Sequence, residues 1–122
     1  MTQPNTIKID EVEYVRKDQA RPSRNTAGMD YCIIRSREQG VMCGYVEAIN
    51  GRSVKLHSAR QIWAYDSTFV LPDIAEHGPR NASKMQMSVA MSQPMIMLEA
   101  CGVLTCTANA AEALRQVPAM KK

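Results

Sequence analysis

The sequence predicts an α+β fold: an antiparallel β-sheet of about five to six strands, a short helix after the strand meander and a C-terminal helix. Three observations predict it. Apolar and polar residues alternate through residues 29–66, the dipeptide Asn50-Gly51 interrupts that stretch with a typical hairpin signal, and an alanine-rich segment follows Thr107. A chain of 122 residues fits one domain, which we assign to residues 1–122.

The N-terminal part of the chain predicts one β-element and one loop. The alternation from Ile7 to Val15 indicates a strand or a short hairpin near residues 7–16. Residues 19–28 contain two arginines and almost no apolar side chain, a composition typical of a polar loop. The simplest interpretation is a solvated linker, although a loop on a rigid scaffold also presents guanidinium groups well to an anion.

The middle of the chain predicts three or four antiparallel strands. Strands at 30–37 and 41–49 flank a turn at Gln39-Gly40. We expect Asn50-Gly51 to occupy the centre of a type I′ turn, because both central positions of that turn require positive φ. Residues 52–65 then continue the meander with period-two alternation.

The second half of the chain predicts helices and further strands. We expect Asp66-Ser67-Thr68 to cap a short helix over residues 70–77, with Pro72 in its first turn and Gly78-Pro79 after its end. The remaining predicted elements are a strand at 84–91, a strand at 94–98 that residues 101–106 extend, and a helix over 108–117 capped by Thr107.

Charge and hydropathy argue against two classes of partner. The chain has 15 basic and 12 acidic side chains, and the excess is +1 in each of residues 1–28, 29–66 and 67–122. Proteins that bind duplex nucleic acid usually carry a basic block, because phosphate neutralisation supplies most of their affinity. No apolar run approaches the ~18 residues of a membrane span. We therefore expect neither duplex nucleic acid nor a membrane as partner.

The N-terminus and the cysteines indicate the compartment. Residues 1–5 lack the charged and apolar regions of a signal peptide. The four cysteines show no CxxC spacing and no neighbouring histidine pair, so a structural zinc site explains them poorly. We expect reduced cysteines in the core of a cytoplasmic protein that uses no metal and no cofactor. The cysteines are Cys32, Cys43, Cys101 and Cys106.

Catalytic motifs are missing from the sequence. His57 falls on the polar face of a predicted strand, and His77 falls in the last turn of a predicted helix, where a cation suits the helix dipole. The sequence contains no nucleophile elbow, zinc-protease motif, phosphate-binding loop or dinucleotide fingerprint. It therefore predicts a binding protein rather than an enzyme.

The segment 59–63 offers the clearest candidate binding residues. On a strand, Arg60 points to one side and Trp63 to the other. Arg60 offers bidentate contacts to phosphate, and Trp63 is either a core residue or a ring on which a base stacks. Arg115 on the terminal helix is a further candidate, its alternative being a position on a solvated helical face.

Several short segments together resemble a family of small bacteriophage proteins that includes the cyclic-nucleotide sponges of the first Thoeris anti-defence type. The segments are Thr6-Ile7-Lys8-Ile9, Tyr14-Val15-Arg16, Cys32-Ile33-Ile34-Arg35, Gly40-Val41, Gly44-Tyr45, Val54-Lys55-Leu56 and Ala59-Arg60-Gln61-Ile62-Trp63. The resemblance implies sequestration of glycocyclic ADP-ribose without cleavage, and of CBASS cyclic di- or trinucleotides at separate sites. It also implies an interlocked homodimer that assembles to a hexamer, with arginine-lined pockets at subunit interfaces.

The resemblance also assigns roles to individual residues. Arg60 and Arg115 would contact the pyrophosphate, and Trp63 matches the family's motif. Met85, next to Lys84, stands where a larger stacking residue is expected. These five residues form the expected ligand site, and the expected second site consists of Arg16, Lys17, Arg21 and Arg24.

Two rival functions remain open at the level of sequence. The first is a structural or partner-binding phage accessory protein that binds no nucleotide. The second is a hydrolase of the same signals, against which the missing acid–base pairs and metal ligands argue. For the sponge, the expected location is the cytoplasm of the infected bacterial host.

Overall fold

The computed structural model describes residues 24–65, 70–79 and 81–120, and these residues form an antiparallel sheet with two helices. The α+β prediction is confirmed. The predicted β-element near 7–16 and the first part of the predicted 19–28 loop lie outside the described residues. Among the residues described, no helix has the length and apolar character needed to cross a bilayer.

In the described part of the chain, six strands and two α-helices follow one another. In chain order the elements are β1 (Asp30–Ser36), β2 (Gly40–Asn50), β3 (Ser53–Ala64), α1 (Leu71–His77), β4 (Gln86–Met87), β5 (Met95–Met97), β6 (Ala100–Thr105) and α2 (Ala108–Arg115). The sheet order is β4-β3-β2-β1-β6, and β5 also pairs with β3.

The turn between β2 and β3 lies one residue later than the sequence predicts. Asn50 pairs with Ser53, so the two turn residues are Gly51 and Arg52 rather than Asn50 and Gly51. Gly51 has φ +62°, and Arg52 is not among the residues with positive φ. A positive φ at the first turn position alone is typical of a type II′ turn. The type I′ prediction is therefore wrong, because Asn50 still belongs to the ladder.

A β-bulge in β3 changes which side chains face which side of the sheet. Cys43 pairs with Arg60 and Tyr45 with His57, so β3 carries one extra residue opposite Gly44. Ser58, in the bulge, has φ +55°. Before the bulge Leu56 faces one side of the sheet, whereas after it Arg60 lies beside Cys43 on the other side. Strict alternation would have left Arg60 on the same face as Leu56.

The bulge requires glycine at the position opposite. A Cβ atom on Gly44 would lie 2.9 Å from the main-chain oxygen of His57 and 3.2 Å from the Cα of Ala59. Both neighbours are backbone atoms, which a side-chain rearrangement cannot move away. Gly44 therefore permits the close approach of β2 and β3 at the bulge.

The long β2–β3 hairpin folds back toward β1 and β6. Ser36 pairs with Gly40 at the start of the hairpin and with Ala100 in β6. The N–H of the same Ala100 donates to the oxygen of Arg52, in the turn at the other end of the hairpin, across 2.9 Å. The hairpin therefore encloses a small apolar cluster, whose buried members are Cys32, Ile34, Met42, Val54, Leu56, Ala59, Met97 and Ala100.

The two helices cover the opposite face of the sheet and form the larger core. Ile33 and Ile62 of the sheet pack there with Ile74 of α1 and Leu114 of α2. The predicted cap of α2 is confirmed, since Thr107 Oγ1 accepts a hydrogen bond from the N–H of Ala110 across 3.1 Å. Thr107 Oγ1 also donates to the oxygen of Glu76 at 2.8 Å, which links α2 to α1.

The start of α1 differs from the prediction. The helix spans 71–77 with Pro72 in its first turn, as expected, but its N-cap residue is Val70. Val70 has no side-chain oxygen and makes no capping hydrogen bond. The expected cap Asp66-Ser67-Thr68 is wrong because the helix begins later than that sequence suggests; residues 66–69 themselves lie outside the described part of the chain.

The C-terminal strands also differ from the prediction. Lys84 ends a 3₁₀ turn, and only Gln86–Met87 of the predicted 84–91 strand is regular. Beyond it, the main-chain N–H groups of Ser88 and Met91 still donate to β3 oxygens, while the N–H of Gln61 donates to Ser88 Oγ instead of a main-chain oxygen. Residues 101–106 do not extend β5, because β6 pairs with β1 whereas β5 pairs with β3.

Candidate functional site

Arg60 is a buried cation held by main-chain oxygens. Its residue is only 5% exposed. Nε donates to the oxygen of Ser88 at 2.7 Å, and Nη1 donates to the oxygens of Leu114 at 3.1 Å and Arg115 at 3.4 Å. The last two belong to the C-terminal turn of α2, where the helix dipole favours a positive charge. Carbonyl dipoles thus offset the desolvation of the guanidinium.

No carboxylate among the described residues forms an ion pair with Arg60. The four ion pairs of Arg and Lys in this part of the chain, and the contact of His57 with Glu47, join other residues. A buried guanidinium normally has an acidic partner, because carbonyl dipoles leave its formal charge uncompensated. Arg60 therefore retains a net positive charge beside any space that it borders.

Such a space exists next to Arg60. A cavity of about 430 Å³ lies between the β3 bulge, the segment after β4 and the end of α2. Its polar lining comes from Arg60, Arg115, Ser58 and the hydroxyl-bearing ring of Tyr45, and no acidic side chain among the described residues lines it. Val89 and Val117 are among its apolar lining residues. Cavities of this size with a few convergent polar groups are typical of small-ligand sites.

Arg115 borders the same cavity and is positioned by two tyrosines. Its Nη1 donates to the hydroxyl of Tyr45 at 2.9 Å, and its Nη2 pairs with the carboxylate of Glu112. The guanidinium carbon lies 5.8 Å from the ring centroid of Tyr31 and 6.0 Å from that of Tyr45. At these distances the ring quadrupoles attract the cation. The tyrosines therefore orient Arg115.

The two rings form one unit. Tyr31 on β1 pairs with Tyr45 on β2, and the rings meet edge to face with centroids 4.9 Å apart. Edge-to-face contact is a preferred geometry for aromatic pairs. Tyr31 is buried, and its hydroxyl donates to Cys43 Sγ at 3.3 Å. The packing of Tyr31 fixes the ring of Tyr45 and, through it, the position of Arg115.

Tyr31 and the buried thiols of Cys43 and Cys106 have raised pKa values. Burial raises the pKa of Tyr31 well above its usual value, with Cys43 as a further cause. Burial is also the main cause that raises the pKa of Cys43 to about 11 and that of Cys106 to about 12. These thiols carry no negative charge near neutral pH, so neither is a thiolate nucleophile. The charge of the site comes from its arginines.

The structure brings together two of the five residues expected at the ligand site. Arg60 and Arg115 line one cavity. Trp63 is 67% exposed and does not line it. Met85 is buried in the helix-covered core and borders a different space of about 350 Å³, and Lys84 is exposed in the adjacent 3₁₀ turn. The β3–β4 pairing sets this separation, since it places Met85 beyond the end of the ladder.

The residues expected at a second site are not assembled in the described part of the chain. Arg24 forms an exposed ion pair with Asp30, its Nε lying 3.0 Å from Oδ1. Arg16, Lys17 and Arg21 lie outside the described residues. A different space, of about 560 Å³, is lined by Arg37 and Arg52 between the β2–β3 turn and β6.

Sequence reasoning missed Tyr31, Tyr45 and Ser58. The predicted turn at Gln39-Gly40 would place position 31 opposite position 48. The turn lies at 37–39 instead, which places Tyr31 opposite Tyr45. Ser58 left no signal, because alternation alone does not locate a bulge. As for metal ligands, residues 24–65, 70–79 and 81–120 contain no group of three His, Cys, Asp or Glu side chains placed to hold an ion.

Comparison with protein-family models assigns the chain to a family. A model of the family described as Domain of unknown function (DUF6948) matches residues 29–114, which span all six strands and all of α2 except its last residue. No curated protein matches the chain. No solved structure matches it either.

Proposed function

The chain belongs to the DUF6948 family, and we propose that it binds and sequesters, without cleaving, a small cyclic nucleotide signal, with glycocyclic ADP-ribose as the first candidate. One observation carries the proposal. Arg60 is buried without an acidic partner among the described residues and borders a cavity that Arg115 also lines. Two guanidinium groups at one small cavity favour a phosphate-bearing ligand.

The shape of the cavity supports a small ligand rather than a polymer. A volume of about 430 Å³ is in the range of nucleotide-sized ligands. The apolar part of such a ligand would lie against Val89 and Val117. Tyr31 and Tyr45 orient Arg115 rather than stack on the ligand, because the guanidinium already lies over both rings.

Sequestration is the activity that these groups support. A sponge needs affinity from preorganised donors, and three main-chain oxygens together with two tyrosines preorganise the arginines. Hydrolysis would need an acid–base pair or an activated nucleophile. The thiols of Cys43 and Cys106 are held neutral, which argues against nucleophilic use of either.

The proposal includes self-association and a location. Ser58 and Arg115 are exposed at the rim of the cavity, so a second copy placed there would complete the enclosure of a ligand. We extend the proposal to an interlocked homodimer or hexamer, to binding of CBASS cyclic di- or trinucleotides elsewhere on the protein, and to the cytoplasm of an infected bacterium.

Calorimetric titration with glycocyclic ADP-ribose and a panel of cyclic di- and trinucleotides tests the binding. We expect Arg115→Ala and Arg60→Lys to weaken binding at least tenfold, because Lys keeps the charge of Arg60 without its planar fork. Arg35→Ala is the matched control: Arg35 is exposed and lines none of the three cavities described above. Flat titrations across the whole panel would refute the proposal.

Two further measurements separate the rival functions. After incubation with the protein and heat denaturation, a sponge releases intact nucleotide, whereas a hydrolase releases product. Sizing chromatography distinguishes a monomer from a dimer or hexamer, and a monomer at micromolar concentration would remove the shared-enclosure part of the proposal.

A partner-binding accessory protein is the second candidate function. Trp63 is 67% exposed, and tryptophan is enriched among the residues that dominate protein–protein binding energy. If Trp63→Ala abolishes capture of a protein partner while no nucleotide binds, this second function is supported instead.

A further inference from the structure

We propose that Glu112 is an internal competitor for the anionic ligand: its carboxylate occupies Arg115, and a ligand phosphate binds Arg115 by displacing it. The inference rests on the proposed function, because it concerns the same cavity. It adds a residue outside the cavity lining that sets both affinity and the class of anion accepted.

Glu112 is placed on α2 three residues before Arg115, so the two side chains share one face of the helix. One carboxylate oxygen pairs with Arg115 Nη2, and the other accepts a hydrogen bond from Gln116 Nε2 at 2.6 Å. Two donors therefore hold the carboxylate. The Nη1 of Arg115 is bound to Tyr45. Both edges through which a guanidinium binds a phosphate bidentately include Nη2, the atom that Glu112 contacts.

The two arginines of the cavity differ in this respect. Arg60 has no acidic partner among the described residues, whereas Arg115 has Glu112. An anion that reaches Arg60 therefore meets no competing carboxylate from the residues that the structure describes. It must, however, replace one at Arg115. Competition at one of two cations lowers affinity without abolishing it.

The competing pair is weak enough to be displaced. The side chains of Arg115 and Glu112 are 37% and 53% exposed, so water screens their attraction. A phosphate or pyrophosphate offers several oxygens and a higher charge, and it contacts the buried Arg60 as well. A ligand with a single carboxylate has the same charge and the same two acceptor oxygens as Glu112, so it gains nothing by replacing Glu112 at Arg115. The site is thus expected to accept phosphates and to discriminate against carboxylates.

Calorimetry with inorganic pyrophosphate as the probe tests this inference. We expect Glu112→Gln to bind pyrophosphate about two- to fivefold more tightly than the wild-type chain, the range for loss of one exposed ion pair. The control is Glu99→Gln, which makes the same change in net charge. Glu99 pairs with Arg52, which lines a different cavity, so this variant should match the wild type. We expect Glu112→Gln to raise the affinity for acetate by at least the same factor as the affinity for pyrophosphate.

A double-mutant cycle distinguishes competition from a general electrostatic effect. If Glu112 acts through Arg115, adding Glu112→Gln to Arg115→Ala should leave pyrophosphate affinity unchanged. If Glu112→Gln raises pyrophosphate affinity as much in the Arg115→Ala variant as it does in the wild-type chain, the inference is overturned. Wild-type affinity in Glu112→Gln alone would also overturn it. Absence of pyrophosphate binding to the wild type would also overturn it. Nucleotide binding that Arg60→Lys weakens would still support the proposed function in all three cases.

Discussion

Arg60 and Leu114 are 54 residues apart in the chain, yet Nη1 of Arg60 donates a hydrogen bond to the main-chain oxygen of Leu114 across 3.1 Å. This bond joins the β3 bulge to the end of α2. The same guanidinium also reaches Ser88 after β4. Three separated segments therefore meet at one side chain, which is both a structural tie and a wall of the cavity.

The first prediction concerns the stability that this tie provides. Arg60→Ala removes three hydrogen bonds and leaves three main-chain oxygens to be hydrated, so we expect a loss of about 2–4 kcal/mol in the free energy of unfolding. Urea denaturation followed by circular dichroism measures it. Arg35→Ala, at an exposed position, should change stability by less than about 0.5 kcal/mol. Equal stability of the two variants would contradict the structural role of Arg60.

The second prediction concerns the bulge. Gly44→Ala places a Cβ atom 2.9 Å from the His57 oxygen, and the strain should cost about 1–3 kcal/mol. Because the bulge determines the face on which Arg60 lies, ligand affinity should fall as well. Gly102→Ala is the control, since a Cβ there meets no atom within 4 Å. Thermal denaturation of both variants decides the matter, and an unchanged Gly44→Ala melting temperature would show that β2 and β3 separate at little cost.

The bulge also explains why the sequence predicted the elements better than the site. Alternation and Thr107 locate strands and a capped helix because both are local signals. Arg60 faces the helix-covered core because the bulge adds one residue at Ser58. The φ of +55° at Ser58 cannot be recognised from a hydrophobic pattern. Arg60 and Trp63 were predicted to point to opposite sides of the strand, but their spacing alone could not show which side Arg60 takes.

The sequence also did not show which strands pair with each other. Met85 was expected beside Arg60, but the register places Met87 opposite Ile62 and leaves Met85 beyond the last pair of β3 with β4. The regular strand ends after Met87, where Ser88 O accepts from Arg60 Nε and Ser88 Oγ accepts from the N–H of Gln61. Likewise, β5 and β6 are consecutive in the chain but pair with different strands. Long-range hydrogen bonds decide such features, and a single sequence does not display them.

The third prediction concerns Thr107, which ties the two helices. Thr107→Ala removes the N-cap bond to Ala110 and the bond to the Glu76 oxygen, and we expect a loss of about 1–2 kcal/mol. Thr107→Ser retains the hydroxyl and should recover most of that loss. Equilibrium unfolding of the pair measures the difference. Equal destabilisation by alanine and serine would assign the effect to the methyl group instead.

The fourth prediction concerns pH. Burial raises the pKa of Cys106 from 9.0 to about 12 and that of Cys43 from 9.0 to about 11. Above pH 9 the unfolded chain releases these protons while the folded chain keeps them. The unfolded state then binds fewer protons, so the free energy of unfolding should fall as pH rises from 9 to about 12. Tyr31, whose pKa is also raised by burial, adds to the fall at the upper end.

Variants at the thiols test the origin of this slope. Cys106→Ala should flatten the decline between pH 9 and 11 whatever its effect on stability at pH 7, because one of the shifted groups is gone. Cys101→Ala, at an exposed position, should keep the wild-type slope. Urea unfolding at half-unit pH intervals supplies the curves. If the free energy of unfolding of the wild type stays level or rises above pH 9, the thiols of Cys43 and Cys106 ionise in the folded protein. A thiolate nucleophile would then have to be considered again.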